Sequence, residues 1–135
     1  VVDSRWLGAT APLDLPVTTP DELRAARHRL RTYASSRGIG RSVADRIEVA
    51  AHEVISNAVR HGGPPCRVRM WRTADVFHVR VDDRGHGGRM AQAGYAPPAT
   101  SVGPGMGLWV ARRLTDVVHT GSSPLSGTAV ELQFR

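Results

Sequence analysis

Glu53, Asn57 and His61 set a carboxylate, a carboxamide and an imidazole four residues apart in the stretch EVISNAVRHGG. On a helix that spacing forms one polar stripe, each member about 40° from the last and drifting toward the buried side. A carboxylate and an amide oxygen one turn apart suit a nucleotide: the amide oxygen ligates Mg2+ and the carboxylate handles a proton. The stripe equally fits a polar border that satisfies neighbouring backbone, with His61 completing the helix end through its dipole.

Three glycine-containing stretches carry further candidate chemistry. Asp83 opens DRGHG, an Asp-x-Gly-x-Gly, and shares the inward parity of Phe77, Val79 and Val81. A carboxylate at that parity is costly unless something donates to it. Either its own side chain closes the turn at Gly85, or it accepts from a ligand amine while Gly85 and Gly87 let the ligand approach. GPGMGL, from Gly103 through Gly105, Met106 and Gly107 to Leu108, opens a helix whose free N–H groups suit phosphate. It is neither a dinucleotide-binding fingerprint, lacking a preceding strand, nor a P-loop, lacking the lysine. Gly127-Thr128 begins the last strand, with Thr128 at the inward parity; alone, this pair signals little more than a strand start.

The elements that must position these residues are readable from periodicity. Leu13, Leu15 and Val17 alternate as one edge strand permits. A helix follows, with Thr19 as N-cap, Pro20 at its first position, acids in its first turn and Gly38 past its end. A second helix runs from about Ser42, a plausible N-cap, to the Gly62–Pro65 stop, with Val43, Ile47, Ala51, Val54, Ile55 and Ala58 on one face. RVRMWR, VFHVRVDD and the C-terminal TAVELQFR alternate strictly, so each strand is expected to have one buried and one wet, Arg-rich face. The region from Met90 to Ala111 contains no charged residue and is broken by glycines and prolines. An uncharged loop of that length reads as a functional lid or as disorder. MGLWVARRLTDVV then reads as a short helix before a turn and the last strand. Helices on one face of a mixed, mostly antiparallel sheet follow, a two-layer α+β sandwich.

The 135 residues make one domain, 1–135, with residues 1–12 a flexible or edge-strand N-terminal segment. At 41% hydrophobic and 22% charged, the chain suits a soluble globular protein. The single cysteine, Cys66, excludes an internal disulfide framework and a cysteine-rich zinc site. No apolar run of about 18 residues and no signal peptide are visible, so the expected location is the cytoplasm, with no membrane involvement. The absence of an initiator Met points to an excerpt of a longer chain. The net charge of +6 comes from arginines scattered between Arg5 and Arg135, with no lysine. No nucleic-acid-binding motif accompanies them, so direct nucleic-acid binding is not expected.

Taken in order, E-x-x-x-N-A-x-x-H-G, D-x-G-x-G, G-x-G-L and G-T resemble the N, G1, G2 and G3 boxes of the Bergerat-fold (GHKL) ATP-binding domains. The resemblance spans about residues 13–135, and SNAVRHGG with the short length is most similar to the anti-sigma-factor/serine-protein-kinase branch. It implies an ATP (or ADP) and Mg2+ site. Asn57 would bind the metal, Glu53 would be the general base for a serine hydroxyl, and Asp83 would accept from the adenine amino group with Thr128 in support. Gly85 and Gly87 would shape the adenine side, and the 103–108 stretch would face the phosphates. The implied function is a serine protein kinase acting as an anti-sigma factor or similar partner switch. Its partners would be a sigma factor or an antagonist protein phosphorylated on serine, and it would form a homodimer. The alternative is a nucleotide-binding module that sequesters a partner without phosphoryl transfer. Two departures stand out: Met90–Ala111 lacks the basic residue that relatives often carry beside the G2 glycines, and His86 sits in the G1 box where an aliphatic residue is common.

Overall fold

The computed structural model describes residues 12–61, 66–84, 113–122 and 127–135. Five strands, β1 (Leu13–Val17), β2 (Cys66–Thr73), β3 (Val76–Asp82), β4 (Val117–Ser122) and β5 (Thr128–Phe134), form one sheet in the order β1-β2-β3-β5-β4. All four described pairings are antiparallel. Two helices, α1 (Pro20–Ser36) and α2 (Arg41–His61), pack against each other and against the sheet, giving the expected α+β architecture.

Local chemistry sets the helix boundaries. Thr19 caps α1 in a full capping box: its hydroxyl accepts from the Glu22 amide at 3.2 Å, and Glu22 accepts from the Thr19 amide at 3.1 Å. At the other end Gly38 takes φ +83°, its amide donating to the Ser35 carbonyl while that of Ile39 donates to Ala34. This left-handed stop is cheap only for glycine and turns the chain back at once. The Ala44 amide donates to the Gly40 carbonyl at 2.9 Å, so α2 starts at Arg41 and Ser42 lies inside its first turn rather than capping it. The antiparallel pair is laced on its polar side by Arg31 with Asp45 and Glu48 and by Arg27 with His52.

The core lies between the helices and one face of the sheet. Leu23, Ala26, Leu30 and Ala34 of α1 and Ile47, Ala51, Val54, Ile55 and Ala58 of α2 meet Val68, Met70, Phe77, Val79, Val81, Val130, Leu132 and Phe134. These are the inward positions expected from alternation. Burying each large aliphatic side chain contributes on the order of 1.5–3 kcal/mol before chain entropy is counted.

Two expectations are corrected. Val117 and Val118, expected at the end of a helix, lie in β4 and pair with Gln133 and Leu132. Of the stretch expected as that helix, only residues 113–114 are helical in its described part. Two adjacent β-branched residues favour a strand once β5 offers an edge. The polar face of the sheet is also not wet. Arg69, His78, Arg80, Asp82 and Glu131 are all at most 6% exposed, and Trp71 is fully buried. The charged groups among them pair with one another, across strands and along β3. Arg69 Nη2 lies 2.5 Å and Arg80 Nε 3.0 Å from the Asp82 carboxylate, and His78 Nδ1 lies 3.0 Å from Glu131. Trp71 stacks on the His78 ring with 5.0 Å between centroids. Two guanidinium groups balance two carboxylates, the condition under which buried charge is tolerable.

Candidate functional site

One end of the sheet collects the polar inward residues. Extending the β2–β3 register one residue past Arg67↔Asp82 sets Cys66 beside Asp83. Extending β3–β5 past Asp82↔Ala129 sets Thr128 on Asp83's other side. The ladder continues there, the Asp83 amide donating to the Thr128 carbonyl at 2.9 Å. In return the Thr128 amide donates to Asp83 Oδ1 at 3.2 Å. Asp83 is 8% and Thr128 2% exposed. The inward parity expected for both is therefore observed, and the carboxylate has the donor its burial demands.

Gly127 makes this arrangement possible. A Cβ there would lie 2.1 Å from the Asp83 carbonyl oxygen and 2.5 Å from Arg84 Cα, well inside contact distance. Only a residue without a side chain lets β5 begin this close to the end of β3. In the sequence, Gly127 shows merely as a strand start; its partner is 44 residues away, so no local pattern exposes the requirement.

Cys66 completes the row. Its thiol is buried, and that burial pushes its pKa up to about 12, with the charge of nearby Asp83 acting in the same direction. The sulfur is therefore a packed, protonated thiol rather than a nucleophile.

The C-terminal half of α2 is directed toward the same end. Near its start, Arg46 Nη1 donates to the Leu114 carbonyl, and two residues on the Asp116 amide donates to the Gln133 carbonyl. That anchors the start of α2 at the 133–135 end of the sheet. Asn57 lies eleven residues further along, about 16 Å of helix rise, against about 20 Å for the length of β5. The helix ends at His61, and the five residues to Cys66 span at most about 18 Å. Both constraints bring the last turns of α2 to the Asp83 end. Glu53 and Asn57 are half-buried there, one turn apart. Among the described residues Glu53 makes no hydrogen bond or ion pair, which leaves its oxygens available as acceptors.

Gly85, His86, Gly87, Gly103, Gly105, Met106, Gly107 and Leu108 lie outside the described residues, as does the side chain of His61. Among the described residues no cluster of His, Cys, Asp and Glu is arranged to hold a metal by itself, and no helix is long and apolar enough to cross a membrane.

Two helices packed on one face of a five-stranded antiparallel sheet match the GHKL class of ATP-binding fold. The match to known families agrees: the model of the histidine kinase-like ATPase domain covers residues 17–134, and the chain belongs to that family. Among solved structures it is similar to a chain in the crystal structure of the SiaB–SiaC complex from Pseudomonas aeruginosa. That similarity has a TM-score of 0.68 and 15% identity over 96% of this chain and 92% of the other, which is likeness of fold. No curated protein matches the sequence.

Proposed function

We propose that this domain binds Mg2+-ATP at the Asp83 end of the sheet and acts as a partner-switching regulator that phosphorylates a serine of an antagonist protein. The observation that carries the reading is the convergence on one sheet end of a buried Asp83–Thr128 acceptor pair and the Glu53–Asn57 stripe. Asp83 keeps one oxygen on the Thr128 amide, and its carboxylate would also accept from the adenine amino group. The donor set fits the metal: a carboxamide oxygen is a hard ligand of the kind Mg2+ takes alongside phosphate oxygens and water. Mg2+ held by Asn57 would supply charge neutralisation at the phosphates.

In the transfer, the serine oxygen forms a bond to the γ-phosphorus as the bond to the β-phosphate bridging oxygen breaks. Glu53 takes the hydroxyl proton and ADP leaves. A half-buried carboxylate with no competing cation among the described residues suits that role. The partner would be a sigma factor or its antagonist; the fold's likeness to a chain solved within a two-protein complex supports a protein partner.

The uncharged Met90–Ala111 stretch favours a second reading, a module that binds nucleotide and sequesters its partner without transfer. Phosphoryl transfer relies on positioned positive charge, and no side chain of that stretch supplies it. Labelled ATP with Mg2+ and the antagonist separates the two. In the kinase reading Glu53→Ala binds nucleotide but transfers no label, and Asp83→Asn loses adenine binding. Tight binding by the wild type with no transfer to any partner would leave the sequestering module. No binding by calorimetry at millimolar Mg2+-ATP would remove both.

A further inference from the structure

Asp82 and Asp83 are consecutive carboxylates on opposite faces at the end of β3, and only Asp83 belongs to the candidate site. Asp82 has a separate environment. It is 1% exposed, with Oδ2 held by Arg69 from β2 at 2.5 Å and Oδ1 held by Arg80, two residues back on β3, at 3.0 Å. Both carboxylate oxygens are thus engaged by guanidinium groups from two strands, the directional kind of charged hydrogen bond.

We propose that Asp82 is a positioning residue: the Arg69–Asp82–Arg80 clamp on the outer face fixes the orientation of Asp83 on the inner face, and so sets discrimination for the 6-amino group of the purine. The inference rests on the nucleotide reading above. The two side chains share one peptide unit. Turning that unit re-aims the Asp83 carboxylate, and two contacts resist the turn from opposite sides. On one, the clamp fixes the Asp82 side chain. On the other, the unit's own N–H, the Asp83 amide, donates to the Thr128 carbonyl at 2.9 Å. The Thr128 amide on Asp83 Oδ1, and Gly127 packed against the Asp83 carbonyl of the next peptide unit, then complete the setting of the acceptor. A carboxylate held this way is preorganised for one donor geometry, and a site built around such a bond rejects an analogue that lacks the donor.

The test compares ATP with purine ribonucleoside triphosphate, which lacks the amino group, by calorimetry with Mg2+ on wild type, Asp82→Asn and Arg80→Lys. Arg80→Lys keeps the charge and leaves Arg69 in place, and so serves if Asp82→Asn does not fold. The expected result is a fall in the ATP preference of about tenfold in Asp82→Asn and a smaller fall in Arg80→Lys, with affinity for the analogue lacking the amino group held within about twofold. General loosening of the fold would weaken both ligands together and leave their ratio unchanged. Folded variants that keep the wild-type preference, or that lose both ligands equally, overturn the positioning role while leaving the nucleotide reading intact. Wild-type protein that binds neither triphosphate overturns the nucleotide reading itself, and the clamp's role with it.

Discussion

At the scale of single residues, the site depends on what is missing as much as on what is present. Gly127 touches the Asp83 end of β3 with backbone only, and the atoms a Cβ would meet are backbone atoms that cannot swing aside. Gly127→Ala must therefore separate β5 from β3 at the Asp83–Thr128 bonds. We expect a loss of about 1–3 kcal/mol in urea unfolding, the usual range for overpacking, together with weakened nucleotide binding. An alanine variant of wild-type stability would show that the two strands can part there freely. Cys66 makes the opposite case, a reactive residue type made inert by its place. Burial and the Asp83 charge hold its thiol near a pKa of about 12, so folded protein should resist a thiol-specific reagent at pH 8 and label fully once unfolded. Prompt stoichiometric labelling of the folded state would contradict the packing described for β2.

At the scale of elements, the edge strand β1 is fastened to β2 by a two-point contact. Arg67 Nε and Nη2 meet the two Asp14 oxygens at 2.8 and 2.5 Å. The Arg67 hydrogen bond holds the Asp14 carboxyl below its usual pKa. A depressed carboxylate adds stability above its unfolded pKa, near pH 4, and that stability is lost as pH falls through the lower folded value. Arg67 is half exposed, so solvent screening limits the contribution to at most about 1 kcal/mol. Asp14→Asn should lower stability by that much at pH 7 and by less at pH 3, measured by urea unfolding at both. An equal loss at both values would assign the effect to packing.

The elements also show where periodicity is informative. Both helices, the capping threonine, the glycine stop and the strand parities are local patterns, and they are legible because helix caps and alternation involve residues a few positions apart. The β4 strand is not, because Leu114, Val117 and Val118 continue a helical spacing and only the β5 edge decides against it. The dryness of the polar sheet face is hidden from the sequence for the same reason. His78 meets Glu131 across 53 residues and Arg69 meets Asp82 across 13, so neutralisation depends on register that composition does not reveal. The same limit applies to the site. Asp83, Thr128, Glu53 and Asn57 are each visible as polar groups at informative positions, whereas the close approach of Gly127 and the row shared with Cys66 emerge only from strand order.

At the scale of the whole molecule, the candidate site ties together α2, β3 and β5, the elements that also carry most of the core. A ligand seated there contacts the helix layer and the sheet at once, so its binding free energy is coupled to unfolding of the entire domain rather than to a loop. Ligand at a hundred times its dissociation constant stabilises a native state by about 2.7 kcal/mol. For a chain of this size that corresponds to a rise in Tm of about 8–10 °C. Saturating Mg2+-ATP should therefore shift the thermal unfolding of the wild type as one cooperative transition. Glu53→Ala should keep the shift, since a base acts on the incoming hydroxyl and not on nucleotide binding. Asp83→Asn should lose most of it, because an amide replaces the carboxylate proposed to accept from the purine. A wild-type melt unmoved by Mg2+-ATP would separate this chain's function from the nucleotide chemistry of its family, and a biphasic melt would show that the helix layer and the sheet are not held as one unit by the site.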